Sequence, residues 1–158
     1  MSAKRLHYAL VITSLTGGVF CIDRLTKNQF FSAPEQTIIP FVLGTTHHQN
    51  HGLLANIHLP MIVILCLTTA ICIGVLIATI QELGQKNPLL LRLIAYALIL
   101  GGALGNLFDR IQYGYVFDWI LIFTRSIINI ADLTIAIGMI GWIYSYRLTA
   151  KTKDESSI

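Results

Sequence analysis

The chain has 158 residues, a formal charge of +3 and only 12% charged residues, with a mean hydropathy of +0.68. Soluble domains carry about 25% charged residues, so this composition excludes an ordinary water-soluble fold and points to lipid as the solvent. Nucleic acid is excluded as a partner too: no basic run with interleaved aromatics occurs, and most Lys and Arg flank apolar segments.

Four apolar segments, roughly 6–22, 59–80, 89–108 and 127–146, each approach the ~20 residues that cross ~30 Å of hydrocarbon. They predict an all-α membrane fold of four transmembrane helices. Lys4-Arg5 ahead of the first segment has the charge of a signal-peptide start. Phe20, just before Cys21, is too large for a processing site, so the segment reads as a retained helix. Asp23, Arg24 and Lys27 end that helix, and the i,i+4 pair Asp23/Lys27 predicts a salt bridge.

Between Phe30 and Asn56, Pro34, Pro40, Gly44 and Gly52 separate short runs such as Thr37-Ile38-Ile39 and Phe41-Val42-Leu43. This pattern predicts a small β-rich extracytoplasmic cap. His47, His48 and His51 lie in the cap without a nearby carboxylate, so neither a metal site nor any other cofactor is expected. Cys21, Cys66 and Cys72 fall in apolar stretches and read as small hydrophobic residues.

In the third segment Gly101 and Gly105 form a small-xxx-small face that admits a close helix neighbour. Asn106 and Arg110 share a face and offer an amide and a guanidinium to a substrate or headgroup, while Asp109 reads as a structural partner of Arg110. Residues 112–125 carry Tyr113, Tyr115, Trp119 and Phe123, aromatics suited to the membrane interface, and predict a short interfacial loop or helix. Residues 149–158 form a polar tail. With no repeat or soluble second domain in view, residues 1–158 read as one domain.

Helix alternation puts Lys4, Arg5, Lys86, Arg92, Arg147, Lys151 and Lys153 on one side and Arg24, Lys27, Arg110 and Arg125 on the other. The richer side is cytoplasmic by the positive-inside rule, which predicts cytoplasmic termini. The unusual polar residues then gather on the outer face.

Acidic groups in apolar helices cost roughly 2.5–3.5 kcal/mol each at mid-bilayer on insertion scales, so each calls for a reason. Asp132 lies in Ile127-Ile128-Asn129-Ile130-Ala131-Asp132-Leu133, and Asp118 in Val116-Phe117-Asp118-Trp119-Ile120. The intervening chain is long enough to loop back and bring the two carboxyls together. A meeting at the lipid–water boundary would raise one pKa and leave an acid beside a carboxylate, a pair suited to hydrolysis without metal or covalent intermediate. The alternative is that each aspartate caps or anchors a helix end.

Four blocks resemble the lipoprotein signal peptidase family, the type II signal peptidases of bacteria. They are Asp23-Arg24-Leu25-Thr26-Lys27; Asn50-His51-Gly52; Gly101-Gly102-Ala103-Leu104-Gly105-Asn106-Leu107-Phe108-Asp109-Arg110 with Val116-Phe117-Asp118-Trp119-Ile120; and Asn129-Ile130-Ala131-Asp132. The resemblance implies an aspartic endopeptidase of the inner membrane that cuts prolipoproteins just before a diacylglyceryl-modified cysteine. It assigns Asp118 and Asp132 to the catalytic dyad. Asn50, Gly52, Asn106, Arg110 and Asn129 are assigned to the substrate site, with Asp23 near it. Membrane phospholipids are the surroundings, and nothing requires more than a monomer. Two departures stand out: Leu53-Leu54-Ala55 follows Gly52 where the family has small residues and a phenylalanine, and the stretch between the aspartates is short, which predicts a reduced lid. A noncatalytic precursor binder and a proton-linked transporter are the competing classes. The presence of both aspartates disfavours the first and the small helix number the second.

Overall fold

The structure, a computed structural model, describes residues 3–52 and 59–155. Among the described residues, four helices carry most of the chain: α1 (Ala3–Phe31), α2 (Met61–Gly84), α3 (Leu90–Tyr113) and α4 (Ile130–Glu155). The strands described outside them are β1 (Gln36–Ile39), β2 (Leu43–Asn50), β3 (Val116–Ile122) and β4 (Ser126–Ile128).

The helices α1, α2 and α3 are long and apolar enough to cross a membrane. At about 1.5 Å per residue, the 24 residues of α2 span about 36 Å. Burial is inverted relative to a soluble protein. Leu10, Leu25, Ile62, Ile73, Ile80 and Ile140 are among many exposed apolar side chains, whereas Asp23, Lys27, Asn106, Asp109, Arg110 and Asn129 are buried. A surface of this kind is stable only against hydrocarbon, with its polar groups paired inside.

Helix α3 touches α1, α2 and α4 and is the centre of the bundle. Its glycines make this possible. A Cβ at Gly101 would lie 2.8 Å from Thr16 O of α1, and one at Gly102 would lie 2.5 Å from Ala131 O of α4. On α4, a Cβ at Gly138 would come within 2.8 Å of Ala95 O of α3. The helices therefore pack at backbone contact, where dispersion is strongest in a solvent that offers no hydrophobic drive.

The expected helix ends shift, most tellingly at the charged turns. Helix α1 continues past Asp23, Arg24 and Lys27 to Phe31, and α3 continues past Asp109-Arg110 to Tyr113. Ion pairing keeps those charged turns helical. Gly114, at φ 78°, ends α3 in the left-handed conformation and donates its N–H to Arg110 O.

The cap is a four-stranded antiparallel sheet of order β1-β2-β3-β4. The expectation of an interfacial loop or helix at 112–125 is corrected here: the segment supplies β3, in the middle of that sheet. Val116, Phe117, Trp119, Ile120 and Ile122 are β-branched or aromatic, and pairing with β2 and β4 satisfies backbone groups that a loop would leave open. The sheet rests on the end of α1, where Phe30 stacks on Trp119 at 3.8 Å between centroids and Phe31 meets Phe117 edge-on.

Candidate active site

Helix α4 begins at the site. Asn129 precedes its first turn, and its side chain accepts the Asp132 N–H at 2.9 Å while Asp132 Oδ2 accepts the Asn129 N–H at 3.3 Å. This reciprocal pair is a capping box with aspartate in the acidic position. A further free N–H of that turn, from Ala131, goes to Asp23 Oδ1 at 3.1 Å. The helix N-terminus thus fixes Asp132 and ties it to α1.

Strand β3 delivers the second carboxylate. Asp118 Oδ1 accepts Asn129 Nδ2 at 2.6 Å, and Oδ2 accepts Asn50 Nδ2 from β2 at 3.0 Å. Asn106, from α3, donates Nδ2 to Asp132 Oδ1 at 2.8 Å and accepts from Asn129 Nδ2 at 3.2 Å and Lys27 Nζ at 3.2 Å. Asp118 and Asp132 therefore share one amide network through Asn129 and Asn106. Burial pushes the Asp118 carboxyl up to about 7, and the charge of Asp132 adds to the rise against hydrogen bonds from Asn50 and Asn129. A carboxyl that is protonated near neutrality beside a second carboxylate can act as acid and base in one reaction.

The surrounding shell is ionic. Asp23 and Asp109 both pair with Arg24 and Lys27: Asp23–Arg24 at 2.7 Å, Asp23–Lys27 at 2.9 Å, Asp109–Lys27 at 2.7 Å, and Asp109 with Arg24 Nη1. The expected Asp23–Lys27 bridge is present. Asp109, expected to pair with Arg110, instead faces α1, because neighbouring residues on a helix point to different sides. Arg110 donates to Gly52 O at 3.0 Å and Asn106 O at 3.3 Å, and Asn50 Oδ1 holds the Gly52 N–H at 3.0 Å. Asn50, Gly52, Asn106, Arg110, Asn129 and both aspartates thus converge. Asp23 stands one step back and reaches the pair through Ala131. Leu53-Leu54-Ala55 lies outside the described residues.

The histidines separate: His47 Nε2 donates to Phe30 O, His51 packs by Tyr115, and His48 pairs across the sheet with Asp118. Sequence reasoning missed the capping box, although Asn-x-x-Asp ahead of an apolar run is a legible signal for one.

Apolar helices facing outward, a polar interior and an acidic pair, Asp118 buried and Asp132 half-buried, at the joint of bundle and sheet define an integral membrane protein with an embedded polar site. Comparison with known proteins narrows that class. The family model described as signal peptidase (SPase) II matches residues 15–148. The lipoprotein signal peptidase of Lactobacillus johnsonii is 34% identical over 160 residues, covering 98% of this chain and 100% of that protein. That of Moorella thermoacetica is 33% identical over 140 residues, covering 84% and 89%. A bacterial membrane enzyme solved by the in meso method at 2.3 Å resolution superposes with a TM-score of 0.76 at 27% identity, covering 90% of this chain and 91% of that one. The chain belongs to the signal peptidase II family.

Proposed function

We propose that this protein is an aspartic endopeptidase that removes signal peptides from diacylglyceryl-modified prolipoproteins, cutting just before the lipidated cysteine. The observation that carries this reading is the shared amide network that joins Asp118 and Asp132 through Asn129 and Asn106. One carboxylate takes a proton from water while the other, as the acid, polarises and then protonates the scissile amide. Asn50, Gly52 and Arg110 hold the substrate backbone beside the pair, and Asp23 fixes the start of α4. The relatives' names as lipoprotein signal peptidases support the substrate class.

In this reading α4 spans the bilayer with the other three helices, both termini face the cytoplasm, and the site lies near the outer face of the inner membrane. The chain works as one domain and as a monomer, with phospholipid around it and acyl chains of the substrate among the helices. Purified protein in detergent is expected to release the signal peptide from a diacylglyceryl-modified prolipoprotein, read as a mass shift, and to leave the unmodified precursor intact. Equal cleavage of both precursors would remove lipid recognition from the account, and cleavage of neither would leave a noncatalytic binder.

A further inference from the structure

We infer that the two hairpin tips of the sheet form one membrane anchor, with Phe41 and Phe123 seated in the outer leaflet and Arg125 on its phosphates. The choice of leaflet rests on the orientation proposed above; the anchor itself makes no use of the dyad. The tips lie side by side. Val42 O, in the β1–β2 turn, accepts the Phe123 N–H of the β3–β4 turn at 2.9 Å, and Leu43 pairs with Ile122. Phe41 is 83% exposed and Phe123 65%, with Ile38, Ile39 and Val42 exposed beside them. No charged residue occurs in 36–46 or 119–124, so nothing in either tip recommends it to water.

The backbone adds a second observation. Phe41 at φ 61°, Phe123 at 49° and Thr124 at 54° are the positive-φ residues other than glycine in the described chain, and all three stand at the tips. A turn that had only to reverse a strand in water would place glycine or asparagine there. Bulky side chains are disfavoured in the left-handed region, and they persist in it where the side chain serves a function. Two phenylalanines held open against the backbone's preference need an apolar surrounding.

The course of β3 supplies that surrounding. It crosses the outer end of the bundle: the Phe117 N–H reaches Asp109 of α3 at 3.4 Å, Asp118 meets Asn129 at the start of α4, and Trp119 stacks on Phe30 in the last turn of α1. Phe123 stands four residues beyond Trp119, about 13 Å further along at about 3.3 Å per residue. A strand that passes over the helix ends and continues this far carries its tip out over lipid. Charge agrees with this placement. Arg125 is exposed, is the sole charged residue of 119–128, and forms no ion pair among the described residues. Aromatic rings with a cation beside them suit a bilayer boundary, where a lipid phosphate accepts from the guanidinium.

The test uses the full chain in vesicles of phosphatidylcholine and phosphatidylglycerol. Phe41→Trp adds a reporter at the tip, read as the emission gained over wild type. That emission is expected to be quenched by lipids brominated high on the acyl chain and spared by acrylamide in the water. Quenching by acrylamide alone would overturn the anchor. Shielding from both quenchers would overturn it too, because a second copy or another protein surface would then cover the tip. Phe123→Asn keeps a residue that accepts positive φ, and Arg125→Glu reverses the charge. Each, added to the reporter and shown to be folded by its thermal unfolding, is expected to lower quenching by lipid and raise quenching by acrylamide. Unchanged quenching in both variants would overturn the joint anchor. Signal-peptide release enters none of these readings, so failure of the proposed function shows up separately.

Discussion

Replacing Gly102 with alanine tests whether the contact of α3 with α4 sets the geometry of the dyad. The new Cβ would lie 2.5 Å from Ala131 O, 2.7 Å from Thr134 Oγ1 and 2.9 Å from Ile135 Cγ1, where ordinary contact starts at 3.4 Å. The nearest of these is backbone at the N-terminus of α4 and has no rotamer to change. Helix α4 must therefore retreat by about 1 Å, at a cost of about 1–3 kcal/mol for an overpacked contact. Ala131 precedes Asp132, so the same shift stretches the 2.8 Å bond from Asn106 Nδ2 to Asp132 Oδ1. Its new length of nearly 4 Å would exceed the usual hydrogen-bond limit of about 3.2 Å. Misplacing a catalytic group by about 1 Å lowers turnover by about a hundredfold. Gly102→Ala is expected to show that loss in signal-peptide release, together with a lower unfolding temperature in detergent. Gly74→Ala, where a Cβ meets nothing within 4 Å, is the control and keeps wild-type values. Wild-type turnover in Gly102→Ala would refute the claim that this contact positions the site.

Asp109→Asn leaves Arg24 and Lys27 sharing Asp23 alone, and breaking a buried ionic group in this way costs about 3–5 kcal/mol. The unfolding temperature in detergent should fall clearly, and an unchanged value would show that the ionic shell does not hold α1 against α3. Asp118→Asn should change stability with pH. The Asp118 carboxyl rises from 3.8 to about 7 on folding, so its favourable contribution is full below about pH 4 and is lost as pH rises through 7. The variant should therefore gain stability over wild type as pH climbs across that window, measured by thermal unfolding, and a gap that stays constant would contradict the assigned burial.

The helices were legible because a run of about 20 apolar residues has few alternatives in lipid. Their ends were less so: hydropathy falls at Asp23 and Asp109, yet pairing between α1 and α3 keeps both turns helical. Strand β3 was hidden because its aromatics fit an interface as well as a strand, and its partners lie far away in sequence. At the site, Asp118 and Asp132 stood out as costly residues in apolar settings, and the family blocks named their amide neighbours. The partner of Asp109 depends on how α1 faces α3, which no local pattern encodes. The facing of His48 depends on the register shift in β2 between Thr45 and His48, and alternation counted along the sequence does not reveal it.

The central claim is that Asp118 and Asp132 together hydrolyse the bond. The most direct measurement is single-turnover release of the signal peptide from a diacylglyceryl-modified prolipoprotein by wild type, Asp118→Asn and Asp132→Asn, each shown to be folded by its thermal unfolding. The account predicts a loss of about a thousandfold or more in each variant, with no further loss when the two are combined, because the pair acts as a unit. Release at the wild-type rate by either variant would contradict it.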